Sequence, residues 1–393
     1  MIRLIHQLLI CLLMPVAFSS VFAQAQLPSV GQSLPGLEAF DEAMQSIMSN
    51  NKYPAGTLAV GYQGRLVLNK AYGDAKRGFS SNTPMVMDQR MRIGSMSKLI
   101  TAVAALKAAE QGKLDLDKPF VELMGYSTQG SDYADARVSK VTLRHLLQNH
   151  AGWTIDRSND PMFERVSPCP QRSARWLSTM KLDAEPGQLY SYSNISFCLV
   201  QQAIEKATGR KYEEYVKAEI AAPAGIKSWE FATLRGKADE PDYISQAGDD
   251  GSPYANMDFE SIGGAGAWTS TAADYVRFWT ALRGYKGLAL LKPALFAQLH
   301  GRPQAAASAT TPMYYGLGVR ARVLDISNHN LWHTGSLPGT SSFGVSFASG
   351  WSIVAIFNSR VPLALREQAA GVTDRLLNQA ARRSKPPEGE LPP

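Results

Sequence analysis

Long apolar runs are missing from this sequence after its first two dozen residues. The densest later stretch, Trp351 to Phe357, reads as a buried strand and is far shorter than the ~20 residues that span a bilayer. Cysteine is scarce, with Cys11, Cys169 and Cys198 the only three in 393 residues. The histidines (His6, His145, His150, His300, His329 and His333) form no H-E-x-x-H or other metal spacing, so neither a metal nor a cofactor is expected. Lysine and arginine are scattered rather than clustered, and the net charge of +6 leaves no nucleic-acid footprint. Gly263-Gly264-Ala265-Gly266 lacks the strand-then-helix setting of a phosphate loop, and no internal repeat is present. A chain that is 45% hydrophobic and 19% charged is globular rather than disordered.

The N-terminus reads as an export signal. Arg3 supplies a basic start, Leu8 to Val21 is apolar, and small residues offer cleavage after Ala23, with Ala25 as the alternative. Pro15 interrupts the run, which is too short for an anchor. Periplasmic or secreted localisation follows, with no stable membrane anchor. Cys11 leaves with the signal, so Cys169 and Cys198 remain as an even pair in an exported chain, and a disulfide between them is expected.

Chemistry concentrates first at Ser95-Met96-Ser97-Lys98. The apolar run that follows, Leu99 to Leu106, has the period of a buried helix. A serine in the first turn sits among free backbone N–H groups at the positive end of the helix. A lysine three residues on shares its face. Burial of that face favours a neutral amine, which can take the serine proton and make Ser95 a nucleophile.

Two further motifs follow in order. Tyr192-Ser193-Asn194 comes after the turn-rich Glu185-Pro186-Gly187 and before a helix, Ile195 to Thr208, closed by Gly209. His333-Thr334-Gly335-Ser336 lies between two runs of strand composition, Tyr315 to Leu324 and Phe343 to Phe357. S-x-x-K, then Y-x-N, then H-T-G resembles the penicillin-recognising serine hydrolases: class C β-lactamases, D-alanyl-D-alanine carboxypeptidases, D-aminopeptidases and related esterases. The stretches Leu143 to Trp153 and Gly263 to Asp274 are also family-like, and the resemblance runs from about Leu37 to Arg382.

The resemblance implies a fold and a set of roles. The fold is α/β: an antiparallel sheet flanked by helices, with an inserted all-helical lobe and the active site between. Tyr192 joins Lys98 as a candidate base, and the two titrate as a coupled pair. Asn194 holds Lys98 and contacts a substrate amide. The backbone N–H groups of Ser95 and Ser336 form the oxyanion hole. Gly335 lets a substrate lie flat, and Thr334 faces its carboxylate or leaving side. His333 stands where many β-lactamases carry lysine; as a partly charged imidazole it is expected to read a carboxylate in a pH-dependent way. His145 and His150 are expected to be structural. No glutamate of the class A type is evident.

Coarse patterning places a helix over Leu37 to Met48, strands over Gly56 to Tyr62 and Arg65 to Tyr72, and helices over Ser95 to Glu110, Thr271 to Arg283 and Leu363 to Arg382. One lobe is expected from residues 37–111 and 268–382, the helical lobe from 112–267, and a flexible tail from 384–393. These readings converge on an exported serine hydrolase with a Ser95 acyl-enzyme, acting on a small or peptide-like amide or ester. A peptidase or amidase of carboxypeptidase or D-aminopeptidase type leads; an esterase and a β-lactamase follow. A catalytically silent ligand-binding sensor is the rival of another class, and intact Ser95, Lys98 and Tyr192 argue against it.

Overall fold

Alternation explains the central sheet. In the strand Trp351–Phe357 every residue is buried: Trp351, Ile353, Ala355 and Phe357 face one apolar layer, Val354 and Ile356 the other. In the computed structural model, which describes residues 27–77, 82–158, 169–248, 251–255, 257–304, 311–325 and 328–392, this strand lies mid-sheet. The main strands are β1 (Ser29–Ser33), β2 (Ala55–Tyr62), β3 (Arg65–Arg77), β4 (Met313–Tyr315), β5 (Arg320–Val323), β6 (His329–Leu337), β7 (Thr340–Ser346) and β8 (Trp351–Phe357). Their order across the sheet is β1-β3-β2-β8-β7-β6-β5-β4, antiparallel throughout and open, with a short strand Asn82–Pro84 on β3. Both ends of the chain thus build one sheet.

Helices cover its two faces. α1 (Glu38–Asn51) and the C-terminal helix Arg366–Arg383 share a core with Leu58, Val60, Ile353 and Phe357. The opposite face packs α2 (Ser97–Glu110) and Ala272–Leu282. α2 is buried almost all round, as a helix between two lobes must be. The intervening region carries α3 (Asn194–Thr208) and several shorter helices. It is not wholly helical. Glu230–Phe231 pairs with Trp268–Ser270, which pairs with Met91–Arg92, and Ile244–Ser245 pairs with Ser359–Arg360. The stretch from Glu230 to Ser245 thus forms two small sheets, separate from the central one, with segments beside it.

Other expectations also shift. Tyr315 to Leu324 is two strands, not one, because the chain dips at Gly316 onto the backbone of Leu299 and His300 and at Gly318 onto that of α2. A Cβ on Gly318 would stand 2.7 Å from the Lys98 carbonyl oxygen, and its φ is +66°. Phe343 to Phe357 contains a hairpin, and the last helix starts at Arg366 after a 3-10 turn, Leu363–Leu365. Residues 384–392, read from composition as a flexible tail, run back along β3. Leu391 is buried, its N–H donates to the Leu66 carbonyl at 2.8 Å, and Arg65 donates to the Pro387 carbonyl at 2.8 Å. One apolar residue among the prolines was enough to anchor it. Residues 1–23, read above as an export signal, and the side chain of Cys169 lie outside the described residues. Among the described residues, no helix is long and apolar enough to cross a membrane.

Candidate active site

Ser95 lies in a 3-10 turn, Gly94–Met96, that runs into α2. The turn can form because Gly94 adopts φ +51°. It is held from below by Tyr275, whose hydroxyl donates to the Met96 carbonyl at 2.9 Å, and by Trp268, whose N–H donates to Ser97 Oγ at 3.2 Å. Thr101, one turn further along α2, donates to the Gly264 carbonyl. The glycine-rich stretch after Ile262 is thus a bracket for the nucleophile helix.

Lys98 is fully buried and lies under the serine. Its Nζ is 3.2 Å from Ser95 Oγ, 2.7 Å from Asn194 Oδ1 and 2.8 Å from the Ala265 carbonyl oxygen. As an ammonium it donates all three bonds. As a neutral amine it donates two and accepts the Ser95 proton. One proton can therefore pass between Oγ and Nζ without disturbing the other bonds. The Tyr192 ring faces the same nitrogen, its centroid 4.7 Å away.

Tyr192 and Asn194 are placed by a buried clamp that the sequence reading missed. Asn149 has φ +58°; its carbonyl accepts from Ser191 N–H at 2.9 Å and its Oδ1 accepts from Ser193 N–H at 3.1 Å. Ser193, not Asn194, caps α3, accepting from Ser196 N–H at 3.3 Å, which leaves the Asn194 amide to Lys98. His145 closes a capping box with Thr142, and His150 Nδ1 donates to the Gln148 carbonyl at 2.8 Å. Both are engaged in holding backbone.

β6 forms the other wall. β5 pairs only with its first half, Leu331 facing Ala321 and Trp332 facing Arg320, so residues 333–337 pair with β7 on one side and turn the other toward the serine. Approach is close enough that a Cβ on Gly335 would fall 1.9 Å from the Ile93 carbonyl oxygen. A Cβ on Gly94 would stand 2.9 Å from Ser336 N, so that amide lies beside the nucleophile turn. Ser95, Tyr192, Asn194, Thr334 and Ser336 line one cleft of about 650 Å³.

His333 departs from expectation. It is 2% exposed, so it cannot meet a carboxylate as an imidazolium. Burial first, then the charges of Lys98 and Arg320, pull its pKa down to about 3. Nδ1 lies 2.6 Å from the Thr334 carbonyl oxygen and must carry the proton, so Nε2 accepts from the Tyr315 hydroxyl at 2.9 Å. The cations that do face the cleft are Arg320, Arg360 and Arg366, and no carboxylate lines it among the described residues. Nothing in the local sequence singles these arginines out; only the fold gathers them.

The family model described as Beta-lactamase matches residues 40–377. The probable fimbrial assembly protein FimD, serogroup H1, of Dichelobacter nodosus is 36% identical over 138 residues, 35% of this chain and 34% of that protein. The match thus spans about a third of that relative's length. The D-alanyl-D-alanine-carboxypeptidase/endopeptidase AmpH of Escherichia coli K12 is 27% identical over 270 residues, 66% of this chain and 67% of that one. Among solved structures, the octameric penicillin-binding protein homologue of Pyrococcus abyssi superposes with a TM-score of 0.69 at 21% identity, over 91% of this chain and 78% of that one. The matched span includes all three motifs, and the chain belongs to the beta-lactamase family.

Proposed function

We propose that the protein is an exported serine hydrolase that cleaves amides of carboxylate-bearing, peptide-like substrates through an acyl-enzyme on Ser95. The observation that carries this reading is the Ser95–Lys98–Asn194 hydrogen-bonded set beneath a cleft whose charged lining residues are all arginines. Ser95 Oγ attacks the carbonyl carbon while its proton passes to Lys98 Nζ. The tetrahedral oxyanion is held by the N–H groups of Ser95 and Ser336. Collapse breaks the C–N bond, and the Lys98–Tyr192 pair returns the proton to the departing amine. Water then attacks the ester, giving its proton to the same pair, and Ser95 is released. The similarity to a D-alanyl-D-alanine-carboxypeptidase supports a carboxypeptidase direction.

Arg320 is the group we assign to the substrate carboxylate, in place of His333. Arg322, two residues along the same face of β5, pairs with Asp374 at 3.4 Å; the Arg320 guanidinium, among the described residues, makes ring contacts with Trp332 and Tyr315 but no ion pair or side-chain hydrogen bond. A guanidinium left unpaired beside a nucleophile suits a planar carboxylate. The test is labelling of the mature protein with a fluorescent penicillin and a fluorophosphonate, followed by hydrolysis of N-acyl dipeptides and their C-terminal amides. Ser95-dependent labelling and a preference for the free acid that Arg320→Gln removes support the reading. Labelling that survives Ser95→Ala sinks it.

A further inference from the structure

A second cavity, of about 400 Å³, shares Arg320 with the cleft lined by Ser95. Its walls are aromatic: Tyr190, Tyr314, Tyr315 and Trp332, with Met313 and Pro303 at the rim. Three of its polar groups are already engaged, while Gln188 and Thr311 also line it and Trp332 Nε1 is buried without a hydrogen-bond partner among the described residues. The Tyr315 hydroxyl donates to His333, the Tyr314 hydroxyl to the His300 carbonyl at 2.7 Å, and His150 Nδ1 to the Gln148 carbonyl. The cavity thus presents mainly ring faces, with Gln188, Thr311 and the Arg320 guanidinium among them. Tyr190 stacks toward Tyr315 at 5.8 Å, and Tyr315 toward Tyr192 at 6.3 Å, so the wall is continuous with the catalytic tyrosine. Arg320 lies against Trp332, 5.1 Å from its ring, and lines both cavities.

We infer that this aromatic cavity is the subsite for a large apolar or aromatic side chain on the leaving amino acid, whose own carboxylate pairs with Arg320. The inference rests on the acyl-enzyme reading above and adds the substrate's character to it. In an α-amino acid the carboxylate and the side chain branch from one carbon. A leaving residue that places its carboxylate on Arg320 must direct its side chain within a bond or two of that guanidinium. The cavity beside it fits a benzyl or isobutyl group, whereas an alanine methyl would leave most of it to water.

The test uses the mature protein and N-acetyl-alanyl dipeptides ending in alanine, leucine or phenylalanine, in both enantiomers of the last residue. The readout is the ratio of kcat/KM for phenylalanine over alanine, which is independent of the active fraction of any preparation. In one enantiomeric series the ratio is expected to be about ten- to a hundredfold, the equivalent of burying one large apolar side chain. Tyr190→Ala and Tyr314→Ala should each pull it toward one. Tyr190 is 41% exposed, so its truncation trims a rim and hollows no core. A ratio near one in both series, or one that neither tyrosine variant changes, overturns the inference. So does a protein labelled by penicillin at Ser95 that cleaves none of these peptides. Absence of labelling as well removes the acyl-enzyme reading and the inference with it.

Discussion

The Tyr315 hydroxyl donates to Nε2 of His333 across 2.9 Å, and that bond fixes the imidazole as a neutral acceptor on this side. The pair braces β6 from within, while Thr334 and Ser336 on the strand's other face line the cleft. His333 is therefore a positioning residue.

Acid stability follows from the same pair. The folded-state pKa of His333, about 3, lies below the ~6.5 of an unfolded histidine. Above pH 6.5 both states are neutral there and the group contributes nothing to pH dependence. As pH falls below 6.5 the unfolded chain binds a proton that the native protein refuses, so stability is lost down to about pH 3. The loss at pH 5 from this residue is about 2 kcal/mol. His333→Asn keeps a donor and an acceptor but does not titrate. Urea unfolding at pH 7 and pH 5 should show a smaller drop in the variant than in wild type. Equal drops would mean that His333 is solvated and protonated like any surface histidine.

The nucleophile set makes a graded prediction. Ser95→Ala should abolish covalent labelling. Lys98→Met, which removes the proton acceptor, should lower kcat about 10²- to 10⁴-fold. Asn194→Ala removes the 2.7 Å anchor of Lys98 and a cleft-lining amide but keeps the proton acceptor, and the loss should be smaller, about 10- to 100-fold. Single-turnover acylation with a chromogenic cephalosporin ranks the three. Asn194→Ala falling below Lys98→Met would contradict the assignment of the base.

The parts of this protein that were legible in its sequence are those that depend on local pattern. Ser95 and Lys98 are three apart where a 3-10 turn runs into α2, and Tyr192 and Asn194 are two apart where α3 begins, so each pair could be read before any fold was known. β8 and α2 were legible because apolar periodicity survives in them. The strand break at Gly316–Gly318 was not, because Gly318 closes on the backbone of α2, more than two hundred residues earlier, and Gly316 on that of Leu299 and His300. Nor was the state of His333, which depends on burial between Tyr315, Lys98 and Arg320. Arg320, Arg360 and Arg366 share a cleft only because β5 and the segment after β8 end at the same place. Charge that converges through tertiary structure leaves no spacing to find.

The bridge between Cys169 and Cys198 remains a proposal, with Cys198 buried in α3 and its Sγ 3.4 Å from Gln202 Nε2. Protein purified from the periplasm and unfolded without reductant should resist alkylation at both positions. Loss of the bridge should cost about 3–4 kcal/mol in the chain-entropy account. Alkylation of both thiols before reduction would disprove it.

Arg92 gives the last prediction. It stands three residues before the nucleophile, is wholly buried, and is partnered by carbonyls rather than a carboxylate. Its guanidinium donates to Pro253 O at 2.8 Å, Thr233 O at 2.8 Å and Leu234 O at 2.9 Å, and lies 4.1 Å from the Tyr243 ring centroid and 4.8 Å from that of Phe259. These contacts fasten Thr233, Leu234, Tyr243, Pro253 and Phe259 to the strand Met91–Arg92 that leads to Ser95, and Ser252, Ala255 and Met257 beside them wall the cleft. Only a planar fork with five donors can serve three carbonyls while stacked between two rings. Arg92→Lys keeps the charge and loses the fork. The protein should be less stable by about 2–4 kcal/mol, as a buried charge with unmet partners requires. The cleft wall should loosen, raising KM more than it lowers kcat, because the Ser95–Lys98 pair is anchored separately through Asn194 and Ala265. Thermal unfolding and steady-state kinetics on one substrate check both halves. A lysine variant with wild-type stability and KM would mean that the charge alone suffices and that the wall is held elsewhere.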